Sequence, residues 1–591
     1  MAKYSDVICA ALKAQGYTHC FFVAGGNIMH LLESASRYFT CVAVVHEVAA
    51  GIAAEYFNES ETGAKAFALV TAGPGLTNIV TAMAGAYLES RELLVIGGQV
   101  KTADLAHGKL RQRGIQEIDG VSIAAPVSKR AVRLDEPVAP AKLTALVNEG
   151  ASPRKGPIFL ELPLNVQGQL VDDGWLTSEA VQVKEPSPAS AENIQRIEEL
   201  VKGSERPVLL LGGGITRKAA AAFMKSAEKF GIPITTTWNG ADRIAADHPL
   251  YFGRPNTWGQ RYANLVLQQS DCIIALGTRL GMQQTGFNWQ KFAPVGKVIQ
   301  VDCDKAELEK GHPRVDLAIC ADANATLLAL CERKLGDYSR WIQYCREIKE
   351  AVPLIEPINT TGEKYISPYR VCEALSGVAG AEDIIVPCSS GGAFTVMMQT
   401  FAQKQGQTMI TDKGLASMGY GLSGAIGAAF ANPDRRVLLV EGDGGFTQNL
   451  QELGTAQVNK LNLKIFIFND NGYASIRMTQ KNYFGGKYVG CDIRTGLGIP
   501  EWKHLFAAYG ITYVPLVPGF EKNPEFLSAF NAQGPAAFIV PIDPEQTYLP
   551  KIASRVLPGG GMESNPLHRM SPPLPDDVLQ RIGKYLPQEE Q

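Results

Sequence analysis

Two short segments constrain this chain most: Gly442-Asp443-Gly444 and, 24 residues further on, Asn469-Asp470-Asn471. Each directly follows an apolar run, Val437 to Val440 before the first and Ile465 to Phe468 before the second. Between them Phe446, Leu450, Leu453 and Ala456 recur at helical spacing. The pattern predicts strand, helix, strand, a parallel crossover, with Asp443 and Asp470 emerging at one carboxyl edge of a sheet. Open α/β sheets bind ligands at that edge. Two carboxylates there form a hard-oxygen site of the kind that holds magnesium beside phosphates. Gly444 and Gly445 let the backbone approach a diphosphate closely. A GDG triplet alone marks turns generally, and only the second half at this spacing favours a metal-and-diphosphate site.

The rest of the chain repeats the alternation of strand and helix in three blocks. The first contains apolar runs at Cys20–Val23, Cys41–Val45, Phe67–Val70, Leu93–Ile96 and Ile158–Leu160. A polar stretch, Lys184 to Glu192, reads as a linker. The second block carries Val208 to Leu211 followed by Gly212-Gly213-Gly214, then Cys272–Leu276 and Val298–Val301. The third begins near Ser367-Pro368, and a Gly- and Pro-rich tail follows. The expected organisation is α/β, with three doubly wound parallel-sheet domains at 1–180, 190–345 and 365–550 and a tail at 551–591, since linkers interrupt the alternation a barrel would need. The tail reads either as a lid over the active site or as a disordered segment.

Composition narrows the functional classes. A net charge of −3 in 591 residues gives no electrostatic case for nucleic acid or an anionic membrane. No apolar run is long enough to cross a bilayer, and the first sixteen residues lack a signal-peptide core. Eleven cysteines without a CxxC pair argue against a full disulfide framework, so the expected location is cytoplasmic.

Five stretches, in order and at family spacing, resemble thiamine diphosphate-dependent enzymes of the acetolactate synthase-like group. They are His46-Glu47-Val48-Ala49-Ala50, Thr71 to Asn78 (TAGPGLTN), Ile115-Gln116-Glu117, Gly414 to Leu422 (GLASMGYGL) and the paired metal motif. The resemblance runs from near residue 3 to about 545 and implies pyrimidine-binding, central and diphosphate-binding domains. It implies Asp443, Asp470 and the Gly472 carbonyl as magnesium ligands, although the family usually carries Asn where Asp470 stands. Asn78, Gly391, Gly392, Gly442, Gly444 and Gly445 resemble cofactor-contacting residues. Met418 holds the family position under the thiazolium ring; the alternative is a core methionine filling a gap. Glu47 resembles the glutamate that hydrogen-bonds the aminopyrimidine and favours the tautomer that takes the C2 proton. Gln116, and more weakly Gln99, resemble substrate-facing residues. In the family Glu47 and the diphosphate site come from different subunits, which implies a homodimer or homotetramer with active sites at the interface.

The implied chemistry is decarboxylation of pyruvate or another 2-oxo acid and transfer of the acetyl-anion equivalent to a carbonyl acceptor, the work of a C–C bond forming transferase or lyase. Three departures concern the acceptor. Gln283 stands for a family arginine, Thr479 for a tryptophan and Ile115 for a phenylalanine. Losing a cation and two rings predicts a roomier acceptor site, similar to carboligases that build branched-chain sugars, with a ketosugar, free or nucleotide-linked, as acceptor. Acetolactate synthase proper, a simple decarboxylase and a cyclic-dione C–C hydrolase are the alternatives. For FAD, Gly212 to Gly214 and Gly277-Thr278-Arg279 match the central domain of acetolactate synthases, and a nucleotide-free turn fits them too.

Overall fold

A computed structural model describes residues 1–177, 187–388 and 390–587. The chain divides into two compact units. One comprises Met1–Glu185, Glu382–Gly391 and Ile410–Val540, the other Pro186–Ala381, Gly392–Met409 and Pro541–Gln591. The first sequence block and most of the third therefore share one unit. Residues 184–186 of the expected linker lie outside the described residues; Ser190 then caps helix Ala191–Lys202, its hydroxyl accepting from the Asn193 N–H at 3.2 Å.

Three parallel sheets carry the molecule, and they share the order of their first four strands. The first reads Thr40–Ala43, Tyr17–Phe22, Lys65–Val70, Leu93–Gln99, Pro157–Pro163, Arg130–Arg133. The second reads Ile234–Thr236, Pro207–Leu211, Cys272–Leu276, Lys297–Asp302, Leu317–Cys320. The third reads Thr408–Met409, Ile384–Pro387, Val437–Gly442, Leu463–Asn469, Ala536–Pro541, Thr512–Pro515. In each, the second strand in sequence pairs on one side of the first and the third strand on the other, so the winding direction reverses beside the first strand. Central strands are continuous Val, Ile and Leu runs because both faces are buried, as at Pro207–Leu211 and Cys272–Leu276. The edge strand Arg130–Arg133 is half-exposed, and its sequence offers no apolar run to find it by.

In the first unit, helix Glu47–Glu59 packs on helix Tyr420–Ala431, and both join one core with the inner faces of two sheets. Small residues allow this approach: a Cβ on Gly427 would lie 2.0 Å from the Ala53 carbonyl oxygen, and one on Gly424 would lie 2.6 Å from the Tyr56 ring. The segment between the paired motifs departs from the single helix its spacing predicts. It forms Asp443–Phe446, a 3-10 turn at Leu450–Glu452 and Leu453–Val458. Asn449 breaks it, taking non-helical angles while its amide donates to the Gly419 carbonyl at 2.7 Å.

Where the sequence leaves the tail as a lid or as disorder, residues 551–587 are built into the second unit. Leu567, Met570 and Ile582 enter that unit's core, and the Arg261 guanidinium donates to the Met570 and Pro572 carbonyls. All eleven cysteines are free thiols. No helix among the described residues is long and apolar enough to cross a membrane.

Candidate active site

The paired motifs meet as their spacing predicts. Gly442 pairs in register with Phe468 on adjacent parallel strands, so Asp443 and Asp470 follow neighbouring strand ends. Asp443 is fully buried; its carboxylate accepts from the Gly444 N–H at 2.7 Å and the Gly472 N–H at 3.2 Å. Burial, reinforced by the facing Asp470 charge, pushes the Asp443 carboxyl well above the usual range. Burial raises Asp470 to about 6, with the Arg477 guanidinium pulling the other way. Arg477, on helix Ala474–Phe484, is itself buried, forms an ion pair with the Asp470 carboxylate and donates to the Asp470 carbonyl at 3.0 Å. The backbones are tight: a Cβ on Gly444 would lie 2.4 Å from the Tyr473 ring and 3.0 Å from the Gly472 carbonyl oxygen.

Two buried carboxylates, Asp443 raised further by the charge of Asp470, beside a backbone carbonyl, fit a divalent cation, which would relieve their repulsion. Among the described residues no group of three or more His, Cys, Asp or Glu side chains is placed to hold a metal. Two carboxylates plus backbone oxygen suit magnesium, whose remaining positions go to water and phosphate. The first residue of the second motif serves the fold instead, Asn469 accepting from the Trp502 indole N–H at 3.0 Å.

The turns after Ile384–Pro387 and Val437–Gly442 flank the reversal in strand order, where ligands of doubly wound sheets bind. Gly391 adopts φ +81°, a left-handed conformation that favours glycine. Gly392 begins the second unit's segment, and the Tyr548 ring occupies the space its Cβ would need, 2.0 Å away, so packing alone demands glycine there. Half-buried Met418 sits against the diphosphate turn, because the next residue's N–H donates to the Gly445 carbonyl at 3.1 Å. Gly442 leaves open space where a side chain would stand.

Glu47 opens helix Glu47–Glu59 and is buried. The Asn78 amide donates to its carboxylate at 2.9 Å, so the His46–Ala50 and Thr71–Asn78 motifs meet through two of the residues the resemblance implies for the site. Gly73 has φ +68°, and the Gln116 carbonyl oxygen lies 2.7 Å from where its Cβ would be, which brings the third motif onto the same loop. The Gln116 side chain is exposed. Glu117 organises the loop, accepting from the Arg113 and Gly114 N–H groups at 2.8 and 3.0 Å. Gln99 is buried with both amide atoms engaged, donating to the Ile118 carbonyl at 2.8 Å and accepting from the Val100 N–H at 2.9 Å. That geometry gives Gln99 a structural part. Sequence reasoning missed Arg477; its only signal was a basic residue seven positions after Asp470 on a helix.

In the second unit, Gly212 to Gly214 and Gly277-Thr278-Arg279 are the two loops that flank that sheet's own reversal. The Gly214 N–H donates to the Gly277 carbonyl at 2.9 Å, and a Cβ on Gly212 would lie 2.1 Å from that oxygen. These glycines are thus required by loop-to-loop contact, while Gly213, Gly214 and Arg279 remain exposed at the strand ends.

Comparison with known proteins agrees with this geometry. Residues 2–123 match the N-terminal thiamine pyrophosphate binding domain of thiamine pyrophosphate enzymes, 194–330 their central domain, and 390–540 their C-terminal thiamine pyrophosphate binding domain. The chain is 30% identical to the acetolactate synthase isozyme 1 large subunit of Escherichia coli, over 93% of this chain and 95% of that protein. It is 29% identical to a probable acetolactate synthase large subunit of Methanocaldococcus jannaschii, over 98% of both. With the acetolactate synthase large subunit of Corynebacterium glutamicum it shares 30% identity over 86% of this chain and 82% of that one. The Glu47–Asn78 pair lies within the first of these matched domains and the Asp443–Asp470 pair within the last, and the chain belongs to the thiamine pyrophosphate enzymes as a C–C bond forming, acetolactate synthase-like decarboxylase and carboligase.

Proposed function

We propose that the enzyme decarboxylates pyruvate and passes the resulting two-carbon unit to a carbonyl acceptor larger than a second pyruvate, a ketosugar with or without a nucleotide. Bound thiamine diphosphate supplies the electron sink for the carbanion left when carbon dioxide departs. The chain's own residues do the rest. Asp443, Asp470 and the Gly472 carbonyl would hold magnesium and through it the diphosphate; Glu47, oriented by Asn78, would exchange a proton with the aminopyrimidine ring. Gln116 would border the substrate. Met418, Gly391, Gly392 and the Gly442 to Gly445 turn would surround the cofactor. Pairing Glu47 with a second chain's diphosphate site makes a homodimer or homotetramer part of the proposal.

The observation that carries the acceptor reading is Thr479. It is exposed on the helix that rises from the metal loop, and its hydroxyl is spent on the Ser475 carbonyl at 2.9 Å, so this position offers neither a ring nor a free donor. Ile115, 85% exposed, likewise supplies no ring. Supplying pyruvate, magnesium and thiamine diphosphate with and without ketosugars tests the proposal. New branched products that grow at the expense of acetolactate support it, and acetolactate as the sole, rapid product sinks it. The second reading, acetolactate synthase itself, is favoured by the full-length likeness to proteins of that name. Glu47→Gln should nearly abolish pyruvate consumption under either reading. FAD in the second unit is a further part of the proposal, supported by the two glycine loops at that sheet's reversal.

A further inference from the structure

We infer that Glu452 is the positioning residue for Glu47, holding the backbone from which that side chain projects; the inference rests on the reading of Glu47 as the proton-handling residue. Strand Thr40–Ala43 ends three residues before helix Glu47–Glu59 begins, so Val44, Val45 and His46 form a bare connection. Val44 is tied back to the sheet, its N–H donating to the Phe22 carbonyl at 3.0 Å. The helix has no side-chain cap of its own at His46. A helix start leaves N–H groups without intrahelical partners, and the adjoining connection has none from the strand ladder.

Glu452 supplies the missing acceptor. It is fully buried, and its Oε1 accepts from the Val45 N–H at 3.1 Å and the His46 N–H at 3.0 Å. Its Oε2 lies 3.3 Å from the Val45 nitrogen and accepts from the Thr455 hydroxyl at 2.8 Å, which fixes the carboxylate's orientation. A buried carboxylate receiving two backbone donors makes charge-assisted bonds, roughly twice as strong as neutral ones, at a helix end whose dipole favours negative charge. Val45 is 57% exposed, so its own side chain does little to anchor the connection. The two bonds therefore set where the residue after His46 stands. Catalytic geometry is unforgiving on this scale, a misplacement of about 1 Å costing roughly a hundredfold in rate.

The test is Glu452→Gln in the full-length enzyme, which keeps the shape but replaces one acceptor oxygen with an amide. Hydrogen–deuterium exchange of the peptide spanning residues 44–48, measured without cofactor, should quicken by about tenfold or more, the loss expected for a charge-assisted bond. With cofactor and magnesium, kcat should fall by about a hundredfold while KM and the thermal midpoint stay near wild type. Unchanged exchange overturns the inference, and so does faster exchange with full kcat, which would make Glu452 a helix cap and no more. If Glu452→Gln fails to fold, Thr455→Val releases the carboxylate's second anchor, and the same two readings decide, in the same direction and smaller. Normal turnover in Glu47→Gln would instead bring down the underlying reading of Glu47, whatever Glu452 does.

Discussion

The sharpest test of the metal site is made without metal. Asp470 stands where the family usually has asparagine, and the structure supplies a partner for the extra charge in Arg477, whose side chain is 3% exposed against 6% for Asp470. Breaking a buried ion pair from one side costs about 3–5 kcal/mol, because the surviving charge is stranded, whereas removing both partners is often close to neutral. Asp470→Asn removes the carboxylate charge that the guanidinium pairs with, and Arg477→Met leaves Asp470 facing Asp443, a carboxylate already pushed well up by burial and by that neighbour. Each single variant should lose about 3 kcal/mol, and Asp470→Asn/Arg477→Met about the same or less, for a coupling of about 3 kcal/mol or more. Urea-unfolding midpoints of the four proteins in EDTA, without cofactor, measure it. Additive losses, or an Asp470→Asn variant as stable as wild type, would refute the charge-compensation argument. Excess magnesium with thiamine diphosphate should shrink the Arg477→Met deficit selectively, since a cation then shares the neutralisation of both carboxylates.

Three smaller expectations accompany it. Glu161, fully buried on strand Pro157–Pro163, is raised to about 7 by burial, only partly offset by Arg133. A raised carboxyl contributes stability below its ordinary value near 4.5 and loses it as pH climbs through about 7, so Glu161→Gln should flatten the pH dependence and gain about 3 kcal/mol at pH 8; parallel pH slopes in urea would contradict this. Gly427→Ala, forced against the Ala53 carbonyl, should cost about 1–3 kcal/mol and lower the thermal midpoint; an unchanged midpoint would mean the two helices separate freely. The purified enzyme should show the visible absorption of bound flavin, and a colourless protein would remove FAD from the proposal.

The paired motifs were legible because buried parallel strands are written as continuous apolar runs, and a turn after each run can hardly sit anywhere but the carboxyl edge. Glu47 and Asn78 were legible only through the resemblance; their contact joins residues 31 apart in sequence, which no periodicity encodes. Arg477 and Glu452 were not read at all. One acts back across a loop upon the metal motif, and the other acts on backbone more than 400 residues earlier, where the partner is an N–H that every residue type carries. The union of the first block with most of the third in one unit was hidden for a related reason. Helices Glu47–Glu59 and Tyr420–Ala431 are apolar and small on nearly every side, which signals burial without saying against what.

The shared strand order explains why the cofactor is easier to read than the acceptor. In each sheet the loops after the first and third strands flank a reversal of winding, and such a crevice exists whatever residues decorate it. In the first sheet those loops are Val23 to Gly26 and Thr71 to Pro74, and they close so tightly that a Cβ on Gly25 would lie 2.4 Å from Thr71. In the third sheet they lead to Gly391 and Asp443. On the proposed reading, residues at these points answer to backbone geometry as well as to a ligand, so a change there is penalised twice. Ile115, Gln283 and Thr479 answer to neither constraint: Ile115 and Thr479 are exposed, Gln283 is half-exposed, and each lies on a loop or helix away from the strand ends. Substitutions at such positions would leave the fold intact. On this scaffold such positions can therefore drift while the strand-end loops stay recognisable at about 30% identity.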